Sequence, residues 1–159
     1  MTAHSGGCQC GAVRYRAEGG IRNAHLCHCR MCQKAAGNYF MPLGNAAWEN
    51  FWITRGEPSW FQSSDKVRRG FCEKCGTPLF FDGNSDHINI VLGSLDEPAS
   101  VMPRMQCGTD AKMPWFGELD GIAHQPDSEE EQAWLRDVAR AVHQHPDHDT
   151  ETWPEEETQ

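Results

Sequence analysis

The amino-acid sequence predicts a mainly β fold with short helical turns and one C-terminal helix, and three features carry that expectation. Short aromatic-rich runs broken by Gly or Pro recur at Tyr39 to Leu43, Trp48 to Thr54, Trp60 to Ser63, Val67 to Cys72, Leu79 to Asp82 and His87 to Leu92. Turn signals at such close intervals suit strands rather than helices. Val13, Tyr15 and Ala17 alternate with Arg14, Arg16 and Glu18, the period-two pattern of a half-buried strand. Seven of the eight cysteines fall in tight groups at Cys8/Cys10, Cys27/Cys29/Cys32 and Cys72/Cys75.

Length and charge narrow the class. At 159 residues the chain can bury a real core as one domain. Its net charge of −9 is uneven: from Asp127 to Gln159 there are eleven acids and two bases, Arg136 and Arg140. Residues 1–126 carry twelve of each sign and are neutral. No basic footprint for nucleic acid exists, so none is expected as a partner. Nothing near Met1 reads as a signal peptide, and apolar runs such as Ile90-Val91-Leu92 are too short to span a bilayer. A soluble cytoplasmic protein is the expectation. Oligomeric state is left open.

In chain order, Gly6-Gly7-Cys8-Gln9-Cys10-Gly11 is a glycine-flanked knuckle, where small residues let the backbone turn around a metal. The Val13 strand follows, Gly19-Gly20 turns the chain, and Ile21 to Leu26 returns it to Cys27-His28-Cys29-Arg30-Met31-Cys32. Gln33 to Ala36 reads as a short helical turn ended by Gly37, its N-terminal end aimed at the thiols. Cys72-Glu73-Lys74-Cys75-Gly76 is a second knuckle. Ser128-Glu129-Glu130-Glu131 fits a capping box. Trp134, Leu135, Val138, Ala141 and Val142 then share one helical face, expected to pack on the sheet or on a neighbouring subunit. From Asp147 onwards the composition is that of a disordered acidic tail. The expected division is a zinc-binding β domain over 1–126, an amphipathic helix over 127–145 and the tail over 146–159.

Thiolates are soft ligands well suited to Zn²⁺, which in proteins is almost always tetrahedral. Cys8, Cys10, Cys72 and Cys75 suffice to close a structural zinc site. Cys27, Cys29 and Cys32 leave one corner free, the mark of a catalytic site. Disulfides are the alternative for the whole set, and a redox dithiol for Cys72/Cys75. Cys107 belongs to neither set; it is expected as a small buried hydrophobe, or else as a fourth ligand that closes the second site. His28 is the nearest proton carrier, although a residue between two ligands often points away. Arg30 and Lys34 flank the loop and either meet substrate carboxylates or are simply solvated. Lys66, Arg68 and Arg69 read as an exposed strand face. His143, His145 and His148 lie in surroundings that read as solvated.

Gly-Gly-Cys8-x-Cys10-Gly11, Cys27-His28-Cys29-x-x-Cys32 and Phe71-Cys72-x-x-Cys75-Gly76-Thr77-Pro78-Leu79, in that order, closely resemble the glutathione-dependent formaldehyde-activating enzyme family, which includes centromere protein V type proteins. The resemblance runs from about Gly6 to Gly121 and includes Val91-Leu92-Gly93-Ser94-Leu95 and Lys112-Met113-Pro114-Trp115. It implies a compact fold of folded β-sheets, shared with a zinc-bearing methionine sulfoxide reductase and a zinc-bearing exchange chaperone. It also implies two zinc ions per chain, a structural one at Cys8, Cys10, Cys72 and Cys75 and a labile catalytic one at Cys27, Cys29 and Cys32. Lys112 and Trp115 are implied as pocket lining, against a salt bridge and a core aromatic as the plainer roles. The implied activity is that of a carbon–sulfur lyase joining a thiol, glutathione or similar, to formaldehyde or another small carbonyl compound. A non-catalytic zinc module acting through protein contacts is the alternative. Many members carry a histidine where this chain has Gln106.

Overall fold

The structure, a computed structural model, describes residues 2–153. Among these, ten strands form two sheets. β1 (Ala3–Gly7), β2 (Arg14–Glu18) and β5 (Phe51–Arg55) make a three-stranded antiparallel sheet in the order β1-β2-β5. β3 (Arg22–Cys27), β4 (Met41–Ala47), β6 (Ser59–Ser64), β7 (Val67–Phe71), β8 (Pro78–Asp82), β9 (His87–Val91) and β10 (Met105–Cys107) make the other, in the order β10-β3-β4-β9-β8-β7-β6. Each aromatic-rich run supplies a strand. β1 and β10 have no counterpart in the sequence reading, because neither Ala-His-Ser-Gly-Gly nor a three-residue edge strand shows apolar alternation.

The main core lies between the sheets. Val13, Tyr15 and Ala17 are buried as the alternation predicts, against Leu79, Phe80 and Ile88. Tyr15 sits edge-on to Phe80 at 5.2 Å between ring centroids and shares a 2.8 Å hydrogen bond with the Ser94 hydroxyl. Cys8 and Cys72 are part of this core. A smaller cluster on the larger sheet holds Cys27 and Cys32 against Met41, Leu43 and Val91.

Arg14 breaks the expected alternation. It is buried because Asp96 grips it through two parallel bonds, of 2.8 and 2.7 Å, and Asp149 adds a third group at 2.6 Å.

The C-terminal segment departs further from expectation. The helix forms, α2 (Glu129–Arg140), with Ser128 and Glu131 completing a capping box. It does not pack on the sheet: Trp134 is 64 % exposed and Leu135, Val138 and Val142 are exposed as well. Amphipathic spacing specifies the face of a helix and not what covers it. Residues 145–153, expected in a solvated tail from Asp147, instead strap across the first knuckle. His145 is buried, donates its backbone N–H to the Gln9 carbonyl, and its Nε2 lies 3.2 Å from Arg55. Thr150 binds Arg55, and the Trp153 indole donates to the Cys10 carbonyl. Polar composition favours solvent only where no partner waits, and the buried Arg14 and half-buried Arg55 are such partners. Residues 154–159 of the expected tail lie outside the described residues. No helix among the described residues is long and apolar enough to cross a membrane.

The two Arg14 partners differ in burial, which fixes how much each matters. Asp96→Ala strands a buried guanidinium and is expected to cost ~3–5 kcal/mol in urea unfolding. Asp149 is half exposed, so Asp149→Ala should cost under ~1 kcal/mol. Burial works against ionisation of Asp96, but Arg14 and Ser5 outweigh it and hold the carboxyl below its ordinary value. Its contribution is therefore complete above about pH 4 and is lost as the pH falls through the lowered folded value. Asp96→Ala should remove that part of the acid dependence.

Candidate metal centres

The two knuckles have like geometry, since each folds the chain back on a cysteine. Cys8 N–H donates to the Val13 carbonyl at 2.9 Å and Cys72 N–H to that of Thr77 at 3.0 Å. Gly11 and Gly76 N–H groups close the turns on the Cys8 and Cys72 carbonyls. The Gln9 N–H then reaches the Thr77 hydroxyl at 3.0 Å and joins the knuckles directly. The sulfurs of Cys8, Cys10, Cys72 and Cys75 all lie within 4.8 Å of one another. Cys8 and Cys10 sulfurs are 3.6 Å apart, and those of Cys10 and Cys72 3.8 Å. A disulfide needs about 2.05 Å, and all eight cysteines are free. Four thiols around a tetrahedral zinc at about 2.3 Å would stand about 3.8 Å apart, so this donor set fits such an ion. Burial pushes the Cys8 thiol up to about 12. At Cys75 burial acts the same way, but hydrogen bonds from Thr77 and Cys10 outweigh it and bring that thiol to about 6.

The second cluster sits where β3 ends and α1 (Arg30–Ala36) begins. This helix starts three residues earlier than the sequence suggests, because the Cys29 sulfur caps it, accepting the Cys32 N–H at 3.4 Å. Gly37 ends it in the left-handed region at φ 59°. The sulfurs of Cys27, Cys29 and Cys32 lie within 4.8 Å of one another, and no other Cys, His, Asp or Glu among the described residues joins them. Burial pushes Cys32 up to about 12 despite Arg69. Cys29 falls below its ordinary value: burial is overcome by the Cys32 N–H, the neighbouring thiols and the charge of Arg69.

Cys107 corrects the expectation of a buried hydrophobe. It is exposed on β10, whose parallel pairing sets it opposite Cys27, and the His28 N–H donates to its carbonyl at 2.8 Å. The edge position leaves the residue exposed, yet its thiol is still influenced by the cluster: burial, followed by the neighbouring Cys27 and Cys29 thiols, pushes it up to about 11. Gly108 follows at φ 62°, and a Cβ there would stand 2.6 Å from the Cys29 nitrogen. That glycine lets the β10 turn press on the thiol loop.

A cavity of about 390 Å³ is lined by Arg30, Met31, Lys34, Phe61, Ser63 and Arg69 but by none of the three cysteines, and Arg69 connects it to the cluster. Arg30 and Lys34 are exposed at its rim. Arg69 is buried rather than on an exposed face, with Nη2 3.5 Å from the Cys32 sulfur. Strand alternation, which sends Arg68 out to Asp82 and Arg69 inward, is the signal that finds it. Lys112 and Trp115 do not line this cavity. Lys112 donates to Gln106 Oε1 at 3.2 Å, and Trp115 packs edge-on against Tyr39 at 4.6 Å. His28 is fully buried against Phe116, its Nε2 3.1 Å from Gln106 Oε1 and its Nδ1 without a hydrogen-bond partner among the described residues. Gln106 thus joins His28 to Lys112. Gln33 is placed by the sequence only at the start of a helical turn, with no role at the site. It is buried and ties α1 to the loop after β10 by donating to the His28 and Ala111 carbonyls at 2.9 and 2.8 Å.

The family model described as glutathione-dependent formaldehyde-activating enzyme matches residues 3–110. The chain belongs to that family. The match takes in all eight cysteines and both knuckles, but ends before Lys112, Trp115 and α2. A Rhodobacter sphaeroides protein solved by structural genomics superposes with a TM-score of 0.51 at 22 % identity, over 64 % of this chain and 98 % of that one. At that identity the likeness is one of fold. Both cysteine clusters lie within the matched residues, and both could hold metal ions.

Gly108→Ala should disturb the second cluster alone. Left-handed backbone costs an L-residue about 1–2 kcal/mol, and the added methyl meets the Cys29 backbone. We expect reduced metal uptake at the three-thiol cluster with the four-thiol cluster still filled, read by metal analysis per chain.

Proposed function

We propose that the chain is a zinc-dependent carbon–sulfur lyase type enzyme that joins glutathione or a similar thiol to formaldehyde or another small carbonyl compound. In this reading Cys8, Cys10, Cys72 and Cys75 hold a structural zinc, and Cys27, Cys29 and Cys32 hold a second, more labile one. The observation that supports it is a cluster of three thiols, which no fourth Cys, His, Asp or Glu among the described residues joins, near a cation-rimmed cavity. Zinc at that cluster would supply Lewis acidity and hold a substrate sulfur as thiolate near neutral pH.

The reaction is an addition. A sulfur–carbon bond forms, the carbonyl π pair moves to oxygen, and the proton lost from the thiol is returned to that oxygen. Arg30 and Lys34 at the rim would take the carboxylates of a tripeptide thiol and so orient its sulfur. Phe61 and Met31 would exclude water from the apolar wall. Ser63 accepts from Arg69 at 3.2 Å, which leaves its hydroxyl proton free to donate into the cavity. His28, buried against Phe116 and bonded to Gln106, holds the loop rather than exchanging a proton with substrate. Lys112 and Trp115 stand outside the cavity, on Gln106 and Tyr39 respectively.

Zinc per chain, before and after brief mild chelation, tests this reading in the wild type and in Cys107→Ser. Two zincs falling to one in both proteins is the expected result. Two that resist chelation until Cys107 is removed would mean a closed second site and would end the catalytic reading. With the site open, the protein should speed the addition of glutathione to formaldehyde above the rate measured without protein. Arg30→Ala and Lys34→Ala should raise KM for glutathione roughly tenfold, the loss of one charge-assisted bond, with little change in kcat.

A further inference from the structure

Arg69 is a buried cation without an acid. Its side chain is 7 % exposed. Its Nε donates to Ser63 at 3.2 Å, its Nη1 meets the Met41 sulfur at 3.7 Å, and its guanidinium lies 5.0 Å from the Phe81 ring centre. Among the described residues it forms no ion pair with a carboxylate, whereas Arg14 and Arg68 each have one. A buried charge left without a counterion is costly. The anionic centre within reach is the thiol cluster, with Cys32 3.5 Å from Nη2. Three thiolates around a divalent ion carry a single net negative charge, equal and opposite to that of one guanidinium.

We propose that Arg69 is the built-in countercharge of the three-thiol centre, a positioning residue that neutralises the metal-loaded site and sets how tightly it holds its metal. This rests on the metal reading above. It also divides the cations by task. The buried Arg69 serves the metal, while the exposed Arg30 and Lys34 remain free for an anionic substrate.

Zinc transfer to a chromophoric chelator at fixed pH and ionic strength tests the proposal in the wild type, Arg69→Met, Arg69→Gln and Arg69→Lys. Loss of a partner just outside the ligand shell typically weakens metal binding ~10- to 100-fold. We expect a loss of that size at the second site for Met and Gln, most of it recovered with Lys, and the first zinc retained throughout. Thermal unfolding supplies the readout that a purely structural arginine would not produce. With only the first zinc bound, the uncharged variants should melt no lower than the wild type, while the gain on adding the second zinc shrinks. Unchanged affinity at the second site overturns the proposal alone. So does an equal fall in melting temperature with and without the second zinc, or failure of both uncharged variants to fold with the first zinc. A wild type that takes up no second zinc would overturn the functional reading together with this proposal.

Discussion

Four thiols drawn from two distant knuckles are the constraint on which the rest of the fold depends. Cys8 and Cys10 close the turn between β1 and β2, whereas Cys72 and Cys75 close the turn between β7 and β8. Their convergence ties the small sheet to the large one, at one end of a core whose centre is Tyr15 and Phe80. Sulfurs this close, two of them buried, would repel one another as thiolates unless a cation lay among them. The backbone contact from Gln9 to Thr77 shows the two turns were built as one unit.

The second cluster is organised on a different logic. It occupies its own apolar bed, its ligand loop is short, and an edge strand presses on it through Gly108. Gln33 locks that loop from behind by two hydrogen bonds to backbone carbonyls. Near it lies a cavity walled by Phe61 and Ser63 of β6 and Arg69 of β7. The two clusters are alike in burial, each alternating buried and half-buried cysteines; one joins the two sheets, while the other is packed on the larger sheet alone.

The segment beyond the family match adds to the first site, not the second. His145, Thr150 and Trp153 reach Gln9, Arg55 and Cys10, and Asp149 reaches the buried Arg14. The strap covers the knuckle from solvent and leaves the three-thiol cavity untouched. α2, which leads into it, keeps its apolar face exposed.

Much of this was legible from local pattern. Cysteine spacing separated a four-thiol set from a three-thiol set, alternation buried Val13, Tyr15 and Ala17, and the capping box placed the start of α2. Such features are legible because they depend on neighbours in the chain: a turn, a strand period, a helix end. Only the tertiary structure decided the rest. Arg69 moved from an assumed surface group to the partner of Cys32, Cys107 went to an exposed edge, and the acidic segment after His145 became a strap. Each of these depends on a charge or an edge meeting residues far away in sequence, and composition carries no record of which distant partner lies opposite.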